Sequence, residues 1–151
     1  MKHVLAALGL TLTAAPAAAL SCLFEQLGPE GVVRTLPEGA VAAHGVLLYD
    51  RPQLGSEMDS YAIPGVVFAG RILVDGAWQD HSTEVTITGA CINGDCGYAV
   101  PGVALLSVLE PGPQGGMILR SDPCAALPSR VEPAFLDALA ACAADPACAA
   151  R

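Results

Sequence analysis

Apolar and polar residues alternate in short blocks through the middle of this chain, and Gly, Pro, Asp and Asn separate the blocks. Residues 84–90 show the pattern most plainly: Glu84-Val85-Thr86-Ile87-Thr88 puts polar side chains on one face of a strand and apolar ones on the other. Residues 41–50 form an earlier block, closed by Arg51-Pro52. Residues 65–75 follow, with Val66-Val67-Phe68 and Ile72-Leu73-Val74 on either side of Gly70; a glycine inside a strand marks a bulge or a sharp bend. Asp75-Gly76 is a turn, residues 103–109 are a continuous apolar run, and residues 117–120 make a short fifth strand after the Gly- and Pro-rich loop 110–116. Such short strands, broken by turn residues, predict an antiparallel sandwich or barrel.

The period changes in residues 133–144. Phe135, Leu136, Leu139 and Cys142 recur at helical spacing, so one face of a helix should pack against the sheet. Glu132 is placed in its first turn, where an acid complements the helix dipole, and Asp145-Pro146 ends it. Residues 23–36 admit a short helix through Phe24 and Leu27, broken by Gly28-Pro29. Residues 51–64, with Met58, Asp59 and Tyr61, read as an exposed loop, either a connector or a binding loop.

Residues 1–21 have the three parts of a secretory signal: Lys2, an apolar run over residues 4–12, and a stretch rich in small residues. Cleavage after Ala19 releases Leu20, and cleavage after Ser21 releases Cys22. Leu20-Ser21-Cys22 also has part of a bacterial lipobox, which would anchor the chain by a lipid at Cys22. Residues 22–151 are then one domain, periplasmic or secreted, and no stretch reaches the roughly 20 apolar residues of a membrane helix.

The chain has 7 Lys and Arg against 15 Asp and Glu, a net charge of −8, and Lys2 is its one lysine. An acidic surface argues against nucleic acid and anionic membranes, which both need a cationic footprint, and OB-type nucleic-acid grooves need several stacking aromatics as well. Six cysteines (Cys22, Cys91, Cys96, Cys124, Cys142 and Cys148) in an exported chain point to disulfides, and none of their spacings suits zinc. No cofactor is expected.

Asp80-His81-Ser82 has the residue types of a triad, but neighbours on an extended chain point to opposite faces, so a solvated turn is the better reading. His44 reads as a half-buried histidine in a strand. Trp78 has two readings, an exposed anchor for a partner or a cap on the barrel core.

A cysteine at the mature N-terminus, then Cys96-Gly97-Tyr98, Val100-Pro101-Gly102-Val103-Ala104-Leu105-Leu106, and a short strand followed by Cys124 and a helix form a recognisable order. This order resembles the OB-fold domain of the tissue inhibitors of metalloproteinases and the related netrin-like modules. The resemblance covers roughly residues 22–135 in element order but only about a dozen residues in motif. It implies a mainly β fold, a five-stranded OB-fold-like Greek-key barrel with a C-terminal helix, stabilised by disulfides. This chain departs from the family in lacking the second cysteine of its N-terminal Cys-x-Cys, and in having the extra Cys91. Two connectivities follow: Cys22–Cys124 with Cys91–Cys96 across Asn93-Gly94 and Cys142–Cys148, or, closer to the family, Cys22–Cys96 with Cys91–Cys124.

The resulting expectation is a non-catalytic exported binding or envelope-interaction module, with Cys22, Leu23, Trp78 and Tyr98 as candidate contacts to a protein partner. The resemblance implies one alternative, a metalloprotease inhibitor whose free Cys22 amine ligates the protease zinc. A second alternative is a small periplasmic hydrolase, which would need His44 or His81 gathered with a carboxylate.

Overall fold

A computed structural model describes residues 27–50, 52, 58–92, 95–96, 99–113, 115–121 and 131–149. The chain opens with helix α1 (Pro29–Thr35) and continues through strands β1 (Val41–Leu48), β2 (Ser60–Val74), β3 (Ala77–Ile92), β4 (Asp95–Cys96), β5 (Leu105–Pro111) and β6 (Met117–Ser121). Helices α2 (Pro133–Ala144) and α3 (Pro146–Ala149) follow.

The pairings close into a ring. β1 lies antiparallel between β2 and β5, β2 pairs antiparallel with β3, β5 with β6, and β6 returns to β3 in parallel. Five strands therefore form the barrel, mainly β as expected, and the two-residue β4 only extends β3. The parallel β3–β6 pair is the one element of the ring that alternation along the chain does not announce.

The barrel is strongly staggered. Through β2, Ala43 leads to Ile72 and Gln79, whereas through β5 and β6, Val41 leads to Leu109, Leu119 and Ile87, a slip of about ten residues along β3. Such a stagger demands tilted, coiled strands, and the sequence supplies the points of bending. Gly45 faces Gly70 across β1 and β2, and the β2–β3 register shifts between Ile63 and Val66, at Pro64-Gly65.

The β2–β3 hairpin turns on Asp75 and Gly76, with φ of 49° and 75°. Positive φ at both central residues matches the strand twist, and Asp-Gly supplies it at least cost.

Alternation divides the apolar residues between two cores. The inward set, including Leu47, Phe68, Val85, Ile87, Leu109 and Leu119, fills the barrel. On the outer wall, Ala42, Leu73 and Leu106 pack beneath Val32 of α1 and Leu136 and Leu139 of α2. The helical spacing foreseen in residues 133–144 is thus the face that covers the barrel. Glu132 sits at the N-cap, outside the first turn, and Pro133 begins the helix. Gly28-Pro29 likewise starts α1 and does not break it, because proline lacks only a donor that the first helical turn leaves unused.

The expected 51–64 loop is shorter than its composition suggests. β2 already begins at Ser60, and Tyr61 is a buried core residue facing Gly89, where its ring occupies the space that a side chain would fill.

Two disulfides lie among the described residues, Cys91–Cys96 and Cys142–Cys148. The first closes the β3–β4 hairpin and the second ties α3 to α2, as in the first of the two connectivities. The alternative partners for Cys91 and Cys96 are thereby overturned: the two residues stand opposite each other in the β3–β4 register. Cys22, Cys124 and their pairing lie outside the described residues.

Candidate interaction surface

Large apolar side chains left in solvent gather at the end of the barrel where β1 finishes. Leu48 pairs with Val67 across β1 and β2, and both face outward because their neighbours Leu47 and Phe68 face the core. The turn over residues 100–103, closed by Val103 N–H donating to Val100 O at 3.3 Å, is drawn against β1 by Gly102 N–H to Leu47 O at 2.9 Å. Leu48, Val67, Val100 and Val103 are 51%, 40%, 56% and 51% exposed. Scattered single apolar residues are ordinary on a protein surface, whereas Leu48 and Val67 stand directly opposite each other and the 100–103 turn is hydrogen-bonded next to them at Leu47.

The same end has a shallow depression of about 470 Å³, lined by Leu48, Tyr49, Asp50, Pro101 and Gly102. Its floor is anchored by the Tyr49 hydroxyl, which donates to Ala99 O. The loop that the Cys96-Gly97-Tyr98 motif leads into is therefore built into this surface. Tyr98 itself, with Cys22 and Leu23, lies outside the described residues.

Trp78 is not on this surface. It is half-buried on the outer wall against α2, and its Nε1–H donates to Leu136 O at 3.1 Å. Arg71 covers the ring, its guanidinium carbon 5.8 Å from the ring centroid. Of its two readings, the structure gives the indole the capping role, over the outer core and not the inner one.

Asp80, His81 and Ser82 are consecutive residues of β3, not a turn. They stand opposite Arg71, Gly70 and Ala69, so the histidine faces away from its two neighbours. His44 is opposite Arg71 on the other side of β2. Burial first, and the Arg71 charge second, hold its imidazole below the ordinary value of 6.5. His44 and Asp80 thus flank Arg71 in one row, whereas His81 projects from the opposite face. Among the described residues, no group of three or more His, Cys, Asp or Glu is arranged to hold a metal ion.

The fold and surface together define a small helix-capped β barrel with a packed interior and an apolar end. No family model, curated protein or solved structure matches the chain significantly.

Proposed function

We propose that this domain is a non-catalytic binding module of an extracytoplasmic compartment that engages a protein partner through the apolar end of its barrel. The observation that carries this reading is the exposed Leu48–Val67 pair at the end of β1, with the 100–103 turn, whose two valines are also exposed, hydrogen-bonded to Leu47 next to it, while the inward side chains are buried. A filled interior leaves surface contact as the means of recognition. The two disulfides fit an oxidising compartment. Among the described residues, no helix is long and apolar enough to cross a membrane.

The test is retention of a partner from the envelope fraction of producing cells by immobilised wild-type domain and by a Leu48→Asp, Val67→Asp variant with the same circular dichroism. One protein should be held by the wild type and released by the variant. Equal retention by both would show that the apolar end does not bind it.

A further inference from the structure

The two cysteines of the β3–β4 hairpin are held very differently. Cys91 lies near the end of the long strand β3, and its N–H donates to Asp59 O at 2.9 Å, just before β2 begins. Cys96 lies on β4, which pairs with β3 at Cys91 with Cys96 and at Ile92 with Asp95. A ladder that short is marginal by itself. The disulfide therefore fastens Cys96 to a point that the barrel already fixes.

The apolar end hangs from Cys96. Three residues on, Ala99 accepts the Tyr49 hydroxyl, and Gly102 N–H then donates to Leu47 O at 2.9 Å, which draws the turn with the exposed Val100 and Val103 against β1. Cys91, Cys96, Tyr49 and Ala99 all pack against the inner core. The turn is thus held by the bridge on one side and by hydrogen bonds to Tyr49 and Leu47 on the other. Opening the bridge lengthens the connection that must be closed between β3 and β5 from residues 97–104 to residues 93–104.

Access separates this bridge from the other one. Cys91 and Cys96 are each partly exposed, whereas Cys142 is buried beneath α2. Exchange requires a thiolate to reach a sulfur, so a dithiol meets Cys91–Cys96 first.

We infer that Cys91–Cys96 is a redox latch for the apolar end: as a disulfide it holds the 100–103 turn in the binding geometry, and reduction by a dithiol frees the turn and weakens partner binding. The inference rests on the reading of that end as the binding surface. A thiolate of the dithiol attacks one sulfur and displaces the other cysteine, which takes up a proton. The dithiol's second sulfur then attacks the mixed disulfide and releases the remaining cysteine as a thiol. Two electrons and two protons pass to the protein, and the dithiol leaves as a disulfide.

The test titrates dithiothreitol into the folded, oxidised chain, caps free thiols with iodoacetamide and locates them by peptide mass. Cys91 and Cys96 should be capped at lower dithiothreitol than Cys142 and Cys148. Amide exchange by NMR should then quicken about tenfold at Gly102, while the β1–β5 pair keeps its protection and reports an intact barrel. Cys91→Ser with Cys96→Ser should give the same fast Gly102 exchange without reductant. Retention of the envelope partner should fall about tenfold on reduction and in the double-serine variant, because a freed turn must be ordered again on binding. Reoxidation should restore it in the wild type alone.

Unchanged Gly102 exchange in the double-serine variant would overturn the inference. So would capping of Cys142 and Cys148 before or together with the hairpin pair, or equal partner retention by oxidised and reduced protein. Failure of the binding reading is seen separately: an oxidised protein that holds no partner while Gly102 still responds to dithiothreitol would overturn that reading, and with it the effect of the latch on binding.

Discussion

Gly45 and Gly70 face each other across β1 and β2 so closely that a β-carbon built on Gly70 would stand 2.5 Å from the Gly45 Cα and 2.4 Å from the His44 carbonyl oxygen. The reverse substitution is as crowded, with a Gly45 β-carbon 2.4 Å from the Ala69 carbonyl. The obstacle in both cases is backbone, which cannot rotate aside. This pair lets two coiled strands cross tightly enough to close a five-stranded ring.

Gly70→Ala and Gly45→Ala should each destabilise the domain by about 3 kcal/mol, at the upper end of overpacking costs. Chemical denaturation measures this directly. A loss under about 0.5 kcal/mol, the range of a neutral surface change, would show that the strands separate at no cost.

Trp78 should join the barrel to its helical cover. Trp78→Phe removes the N–H donated to Leu136 O and should cost about 1 kcal/mol. Trp78→Ala also empties the space against α2 and should cost about 3–5 kcal/mol. Hydrogen exchange should show α2 losing protection first in both variants, with the β1–β5 pair less affected.

His44 makes stability depend on pH. Its folded-state pKa lies below the unfolded value of 6.5, through burial and then Arg71. The unfolded chain therefore binds this proton more readily, so the stabilisation is present above pH 6.5 and is lost as pH falls through the folded pKa. His44→Gln should show a shallower fall in melting temperature on acidification than wild type. Arg71→Gln should raise the His44 pKa in an NMR titration, since one of its two depressing causes is gone.

Removing Cys91–Cys96 by a double serine substitution should cost about 2 kcal/mol, the chain-entropy value for so short a loop. The effect should centre on the β3–β4 hairpin. Loss of Cys142–Cys148 should instead release α3 while leaving the barrel's exchange pattern unchanged, because that bridge links only α2 and α3.

Much of the barrel was legible because its strands obey simple alternation: Val85 and Ile87 are buried, and the intervening Thr86 is only partly so. The helical face of Leu136, Leu139 and Cys142 was equally plain. Strand length was less so. Pro64-Gly65 reads as a boundary, yet a bulge absorbs both residues and lets β2 run from Ser60, which turned Tyr61 from an expected loop residue into core. The parallel return of β6 depends on long-range closure, which leaves no local signature. The apolar end was hidden for a related reason: Leu48 and Val67 belong to ordinary strand patterns, and only register reveals that they meet on the outside. Trp78 had two defensible readings, and the position of α2 decided between them.

Partner binding at the apolar end is tested most directly by a photo-crosslinking amino acid placed at position 67 in producing cells, with the exposed position 137 of α2 as control. One discrete adduct with a single protein is expected at position 67, absent at position 137 and lost when Leu48→Asp is added. Adducts at position 67 that match the control, or that persist unchanged with Leu48→Asp, would show that the apolar end is not the binding surface.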